Sequence, residues 1–234
     1  MNLRFGGVAL VAALACSPGS KPETPENRPT AMTDSSAWRT LFDGTSTEAW
    51  RGYQMDSFPS GWAIEDGSLV RTTGGVDIIT RDQFSDFELE LEWKVGPAGN
   101  SGVMYRVTEA DSSTYRTGPE YQILDDAAHQ DGKNRLTSAG SAYGLYAPPA
   151  GVVKPAGEWN TTRIVARGAH VEHWLNGQKV VEYELWSPDW EEKVRNSKFV
   201  EWAGYGRSPR GHIALQDHGD RVEFRAIRIR ELRE

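Results

Sequence analysis

Between Phe87 and Val95 the chain alternates apolar and charged residues, Phe-Glu-Leu-Glu-Leu-Glu-Trp-Lys-Val. A period of two held over that length predicts a half-buried β-strand, because successive side chains of a strand point to opposite faces. Val171 to Leu175 and Gln178 to Val181 flank Asn176-Gly177, the strongest short hairpin signal a sequence carries. Shorter β-like runs occur at Gly102–Val107, Tyr121–Leu124, Thr162–Ala166, His212–Gln216 and Val222–Ile229. In the last of these Val222 and Phe224 share one parity while Ile227 and Ile229 share the other, so the spacing predicts a bulge, or a strand that crosses between sheets, near Ala226. One helix is expected, with Ser187 as N-cap and Pro188 in its first turn, running through Trp190 and Val194 toward Lys198. Many short strands, Gly-rich turns and one short helix predict an all-β fold, an antiparallel β-sandwich or jelly roll.

The N-terminus follows a different pattern. Arg4 precedes an apolar run from Phe5 to Ala15, which ends in Ala13-Leu14-Ala15 just before Cys16, the single cysteine. That run is too short for a spanning helix, which needs roughly 18 apolar residues, and fits the apolar part of an export signal. With small residues before the cysteine, residues 1–16 are expected to be a bacterial lipoprotein signal and Cys16 the lipidated residue. Leu14 stands one position later than such signals usually place their leucine. Residues 17–37 follow with Pro18, Pro22, Pro25 and Pro29 among polar residues and no periodicity, a flexible tether. The folded domain is expected to span 38–234, outside the cytoplasm, on the periplasmic side or at the outer membrane or cell surface, in contact with a membrane only through its lipid.

A net charge of −7 argues against a nucleic-acid partner, which a basic patch would announce. One cysteine excludes a disulfide framework and a cysteine-based zinc site. No nucleophile elbow, phosphate loop, His-Glu-x-x-His or dinucleotide fingerprint occurs. No loop resembles an Asp-rich calcium loop, and no metal is expected. The chemistry must therefore come from polar residues inside strand-like segments. Glu120-Tyr121-Gln122-Ile123-Leu124-Asp125 puts Glu120 and Gln122 on one face, which is either solvated or the lining of a cleft. Asn100-Ser101-Gly102 leads into a strand carrying Arg106, which taken alone reads as a surface ion pair. Gln216-Asp217-His218-Gly219 ends another strand with three polar groups, and His218 can exchange a proton near neutral pH. Tyr143, Tyr146, Trp202 and Tyr205 fall in loops, where aromatic planes suit the C–H faces of sugar rings. Trp159 and Trp174 are expected in the core.

These segments coincide with an ordered pattern. The chain resembles the 3-keto-disaccharide hydrolase domain family, on Leu41-Phe42-Asp43-Gly44 with Trp50, Trp62 with Gly67, Asp86-Phe87-Glu88-Leu89 with Glu92-Trp93, and Asn100-Ser101-Gly102 with Arg106. The match continues through Gly118-Pro119-Glu120-Tyr121-Gln122-Ile123-Leu124-Asp125, Gly144-Leu145-Tyr146, Gly157-Glu158-Trp159-Asn160 and His173-Trp174-Leu175-Asn176-Gly177, to Gly211-His212-Ile213-Ala214-Leu215-Gln216-Asp217-His218-Gly219 and Phe224-Arg225. Each segment alone is weak, and the ordered set covers Leu41 to Leu232. One departure is Ala226, where the family carries Asn, which would remove a polar contact beneath the site.

The resemblance implies a concanavalin A-like sandwich of the laminarinase type and a small oxidised sugar as partner, a glycoside bearing a ketone at C3 supplied by a separate sugar 3-dehydrogenase. No cofactor is implied within this chain. Such a ketone acidifies the C2 proton, so a base can start an elimination that expels the glycosidic oxygen from C1, with water adding afterwards. Direct hydrolysis is equally compatible. Within that chemistry Glu120 is expected as base, Arg106 as the cation on the C3 oxygen and His218 as acid to the leaving group. Asn100, Gln122, Asp125, Tyr146, Trp202, Tyr205, Gln216 and Asp217 are expected around the substrate. Two other classes fit the fold: a non-catalytic carbohydrate-binding module, and a conventional laminarinase-type hydrolase, which would need two carboxylates on one strand face where Glu120 and Asp125 have opposite parity.

Overall fold

The computed structural model describes residues 1–2 and 37–232. Cys16 and the expected signal and tether up to residue 36 lie outside the described residues, apart from the first two. The rest is built from strands β1 (Arg39–Phe42), β2 (Trp50–Gly52), β3 (Trp62–Glu65), β4 (Ser68–Arg71), β5 (Ile78–Thr80), β6 (Phe87–Val95), β7 (Asn100–Val107), β8 (Glu120–Leu124), β9 (Asn160–Arg167), β10 (His170–Leu175), β11 (Gln178–Glu184), β12 (His212–Leu215) and β13 (Val222–Glu231), with helix α1 (Pro188–Arg195). An eight-stranded sheet runs β11-β10-β9-β6-β13-β4-β3, with β1 also on β13, and a five-stranded sheet runs β2-β5-β12-β7-β8. All pairings are antiparallel, and the expected sandwich is what forms.

The alternation explains the layers. Phe87, Leu89, Leu91, Trp93 and Val95 of β6 are buried between the sheets with Trp50, Tyr105, Tyr121 and Ile213, while Glu90, Glu92 and Lys94 face out. The β10–β11 hairpin turns at Asn176 and Gly177 with φ of 50° and 82°, the left-handed pair that matches strand twist. Its inward residues are Val171, His173 and Leu175. Trp174 therefore lies on the outer face instead of the core, under the Arg163 guanidinium, and Trp159 likewise lies under that of Arg225, 3.9 Å from its ring centre. His173 takes the interior position and bonds Tyr105 Oη at 3.0 Å and the Gly140 carbonyl at 3.1 Å.

β13 does not cross between sheets. Its register slips between Arg225 and Arg228, and Ala226 has φ of 51°, so the parity switch is a bulge. β4 pairs β13 before it and β1 pairs β13 after it. Ala226 lies on the outer face of the eight-stranded sheet beside a cavity of about 620 Å³. It is therefore not beneath the polar strand ends described below. An Asn at this position has a conformational reason, since Asn tolerates the left-handed region better than Ala.

α1 begins as expected, with Ser187 Oγ accepting from Trp190 N at 3.2 Å. It stops at Arg195, and a separate single turn, Lys198–Glu201, follows, capped by Ser197 Oγ on Phe199 N at 3.2 Å. On the outer face of the five-stranded sheet Tyr53, Ile79, Met104, Val107 and Ala214 form a second apolar cluster. The segment 108–117 folds over it, held by Tyr53 Oη against the carbonyls of Thr108 and Asp111 at 3.1 and 2.7 Å. The end of that face formed by β8, the start of β7 and the end of β12 carries a pocket.

Candidate active site

At the pocket end the alternation of β7, β8 and β12 aims polar side chains outward. Tyr121 and Ile123 enter the core, so Glu120 and Gln122 face the other way; Asn100 and Gly102 on β7 and Gln216 after β12 share their side. Asn100, Glu120, Gln122 and Gln216, together with Tyr115, Tyr143, Lys198, Phe199, Trp202 and His218, line a pocket of about 350 Å³, large enough for a small polar ligand.

Glu120 is the only carboxylate among those lining residues and is 8% exposed. Burial, which disfavours its charged form, pushes its pKa up to about 8; the Lys198 ammonium opposes the shift, and Asp77 and Asp131 add to it. Its side chain lies flat across the backbone of β7. A Cβ at Gly102 would overlap Glu120 Oε1 and stand 2.9 Å from both Cγ and Cδ, so only glycine admits this conformation. Gln122, with its amide oriented to satisfy both ends, donates to Ser101 O at 3.0 Å and Glu120 Oε1 at 3.2 Å.

Gln216 backbone N donates to Gly102 O at 3.0 Å, and Ser101 Oγ donates to Gln216 O at 2.8 Å, which fixes β12 against β7. The Gln216 side-chain oxygen is buried with no hydrogen-bond partner. A buried acceptor without a donor is costly, and a ligand hydroxyl would relieve it. His218 stands exposed at the mouth, its Nε2 3.5 Å from Asn100 Nδ2; Asn100 itself is 2% exposed and held through its backbone N by Asp220 at 3.1 Å. Trp202 is half-buried and packs on Tyr115, ring centres 5.3 Å apart.

The structure thus brings Asn100, Glu120, Gln122, Trp202, Gln216 and His218 together and leaves five expected site residues elsewhere. Arg106 has φ of 54°, and the β7–β12 register slips between His212 and Ala214. This bulge turns its side chain away from the pocket to bond the carbonyls of Ser85 and Gly168 at 2.8 Å each and Asp86 at 3.3 Å. Asp125 caps a turn, accepting from Ala98 N at 2.8 Å and Ala127 N at 3.2 Å. Asp217 is ion-paired with Arg71 at 2.6 Å. Tyr146 donates to Asp189 at 2.6 Å. Tyr205 is buried behind the wall in a column of stacked rings, Tyr146, Tyr183, Trp190, Tyr205 and Phe199, with successive planes within 11° of parallel. Alternation places a residue on a face, but it does not foresee a bulge or a neighbour that already satisfies the group. Tyr115, Lys198 and Phe199 were not expected. A lysine just after a short helix gives no sequence signal of its own.

One acidic cluster outside the pocket has the donor set of a metal site: His170, Glu172 and Glu182 bring ligand atoms within 4.8 Å of one another. The Lys179 ammonium already bonds Glu172 at 3.2 Å and Glu182 at 2.7 Å, filling the place of a cation.

Comparison with known proteins shows the family and the fold. A 3-keto-disaccharide hydrolase of Bacteroides thetaiotaomicron is 36% identical, over 85% of this chain and 80% of that protein. A Parabacteroides distasonis protein described as a glycosyl hydrolase has a crystal structure that superposes with a TM-score of 0.79 at 33% identity, over 84% of this chain and 94% of that one. The laminarinase catalytic domain of Thermotoga petrophila shares the fold, with a TM-score of 0.51 at 12% identity over 85% of this chain and 100% of that one. The model of the 3-keto-alpha-glucoside-1,2-lyase-like domain matches residues 37–230, which takes in both sheets and every residue of the pocket, and the chain belongs to that family.

Proposed function

We propose that this protein is a glycoside-cleaving enzyme whose substrates are 3-keto-glycosides, and that it acts by removing the C2 proton. One observation carries the reading: the pocket holds a single carboxyl group, and its pKa is raised to about 8. Conventional glycoside hydrolysis needs two carboxylates flanking the bond, whereas abstraction of a proton beside a ketone needs one base with a pKa near the working pH. The family description and the name of the Bacteroides relative support the same class of reaction.

In the proposed sequence Glu120 takes the C2 proton, the C2–H electron pair forms a C2–C3 double bond, and the carbonyl pair moves onto the C3 oxygen. The enolate then collapses. The C3 carbonyl re-forms, a C1–C2 double bond appears, and the glycosidic C1–O bond breaks with His218 protonating the departing oxygen. Water adds to C1 and a proton returns to C2, so the net change is hydrolysis. Gln216, with its unpaired oxygen, accepts from a sugar hydroxyl, and Trp202 offers a ring plane at the rim. A keto sugar of this kind must be supplied by oxidation of a C3 hydroxyl, the task of a separate dehydrogenase.

The test is turnover of a 3-keto-disaccharide beside its unoxidised parent. The keto sugar alone should react, and Glu120→Gln should lose roughly 10²–10⁴-fold in kcat while still binding sugar. Cleavage of the parent would point to a conventional hydrolase, and binding without turnover to a binding module. We further infer that the protein is an exported lipoprotein anchored at Cys16. Cys16→Ser should move it from the membrane fraction to the soluble one, and retention would contradict the anchor.

A further inference from the structure

Proton abstraction places negative charge on the C3 oxygen, and charge developing in a dry site needs a fixed partial or full positive charge aimed at it. Arg106 cannot supply it, because its guanidinium is bound among Ser85, Gly168 and Asp86. We propose that Lys198 is the catalytic cation, its ammonium contacting the C3 oxygen of the keto sugar and holding the enolate that Glu120 creates. This rests on the reading of Glu120 as base.

Three observations converge on Lys198. It lines the same pocket as Glu120, Gln216 and His218. Its ammonium is held over aromatic faces, 4.5 Å from the ring centre of Tyr143 and 6.0 Å from that of Trp202, and among the described residues it makes no ion pair within 4.0 Å. Lys94, Lys179 and Lys193 all have carboxylate partners. An ammonium so placed is oriented by ring quadrupoles without being neutralised, and it stays available to a ligand oxygen. The backbone that carries it is fixed as well. The next residue, Phe199, is buried and stacks on Tyr205, ring centres 4.0 Å apart and planes at 5°, at the end of the aromatic column. The loop aromatics and the short helix, which β alternation does not explain, together make a mount for one cation.

The charges around it suit the step. Besides Glu120 and Lys198 the titratable groups lining the pocket are Tyr115, Tyr143 and His218; Asp77 and Asp131, outside the lining, disfavour ionised Glu120, and Lys198 favours it. Before reaction it helps the base lose its proton. As that base takes the C2 proton, its own charge is neutralised and the new charge appears on the C3 oxygen, within reach of the same ammonium. No bond to Lys198 forms or breaks. It stabilises the electron pair displaced from the carbonyl and releases it when the enolate collapses.

The experiment is steady-state kinetics of Lys198→Met and Lys198→Arg on a 3-keto-disaccharide, with binding of the unoxidised parent measured by calorimetry as a control for a folded pocket. Lys198→Met should lose about 10²–10³-fold in kcat with a smaller change in KM. The acid limb of its pH profile should move upward, and parent binding should stay within a few-fold. Lys198→Arg, or ethylammonium added to a Lys198→Ala variant, should restore part of the rate. Retention of full kcat by Lys198→Met would overturn the proposal, as would a loss confined to KM. Borohydride trapping of a covalent adduct at Lys198 would also overturn it, since an imine is a different role. The two readings separate cleanly. An active Glu120→Gln enzyme removes the base whatever Lys198 does, whereas an inactive Glu120→Gln beside a fully active Lys198→Met removes only the cation.

Discussion

The two outer faces of the sandwich use polar residues in opposite ways. On the eight-stranded sheet every carboxylate along β6 has a cation: Glu92 bonds Arg225 at 2.6 Å, Glu90 bonds Arg228 at 2.9 Å, and Glu88 lies between Arg230 and Arg163. A cavity of about 620 Å³ opens on this face, yet its charged lining residues already have partners: Glu90 pairs with Arg228, Glu92 with Arg225, Arg163 with Glu88, and Asp43 accepts from Thr45 and Ser46. On the five-stranded sheet the pocket is smaller. Among the described residues its carboxyl group is buried and bonded only to an amide, its Gln216 amide oxygen has no partner, and its Lys198 ammonium has no carboxylate. A face whose charges are mutually satisfied is a solvated surface. A face that leaves buried groups unsatisfied carries a cost in the free protein that a ligand can remove. The contrast between the two faces therefore lies in how their polar groups are satisfied and not in pocket size.

The sharpest way to break that contrast is to disturb how the unsatisfied carboxyl is held. Gly102→Ala places a methyl where Glu120 lies, while neither φ at Gly102 nor its backbone bonds forbid alanine. The carboxyl must swing off the strand and into water, losing the Gln122 amide. A displacement of about 1 Å at a reacting group costs on the order of 10²-fold in rate. The variant is expected to fold, to lose about that much kcat, and to show an acid limb lower than that of the wild type, since the group regains solvent. An unshifted limb in an active variant would mean that the cradle does not set the acidity.

Stability gives a readout of the same group without substrate. Glu120 has a folded pKa raised to about 8 from an ordinary 4.5, so between those values the folded state binds a proton that the unfolded state has released. The slope of stability with pH is then negative, and burying this carboxyl penalises the native state increasingly from pH 4.5 through 8. Glu120→Gln keeps the shape and never ionises. It should match wild type near pH 4 and exceed it above pH 8, by on the order of a few kcal/mol, as thermal melts across that range would show. Equal melting temperatures at pH 9 would place the carboxyl in a wetter setting than the structure does.

The sequence makes one of these faces far more legible than the other. β6 and the Asn-Gly hairpin are readable because alternation over nine residues and a left-handed turn are local properties. The three- and four-residue strands β2 to β5 are not, since so short a run shows no period and pairing partners decide its state. The same limit governs the pocket. Glu120, Gln122 and Gln216 can be assigned a face from parity. Arg106 fails the parity argument because a bulge at its own position reverses the side chain, and Asp217 has the right strand end but a private partner in Arg71, 146 positions away. Lys198 needs the aromatic column, a tertiary object, before it can be recognised.

On the paired face, effects should be small. Glu90 and Arg228 are partly exposed, at 31% and 51% of their side chains, and exposed pairs of this kind couple by about 0.2–1 kcal/mol. A double-mutant cycle with Glu90→Gln and Arg228→Gln should return a value in that range, smaller at high salt, with turnover of the keto sugar unchanged. A coupling well above 1 kcal/mol, or a loss of turnover, would give this face a role that its mutual satisfaction denies.

The smallest effect concerns the bulge that makes the pairing possible. Arg225 and Arg228 are three residues apart, an odd spacing that a regular strand would send to opposite faces, whereas their partners Glu92 and Glu90 are two apart on one face. Ala226 absorbs the extra residue at φ of 51°, a conformation that costs a side chain with a Cβ about 1 kcal/mol. Asn is better tolerated there because its short amide can bond locally, and Gly avoids the Cβ altogether. Gly, however, gives back part of the gain through its more flexible unfolded chain. Ala226→Asn and Ala226→Gly should each stabilise the domain by about 0.5 kcal/mol, read as a slightly higher denaturation midpoint with an unchanged slope, and neither should alter kcat, because the bulge lies on the face without the pocket. Destabilisation by both would mean that the bulge is not left-handed at Ala226, and the register that aligns Arg228 with Glu90 would need another cause.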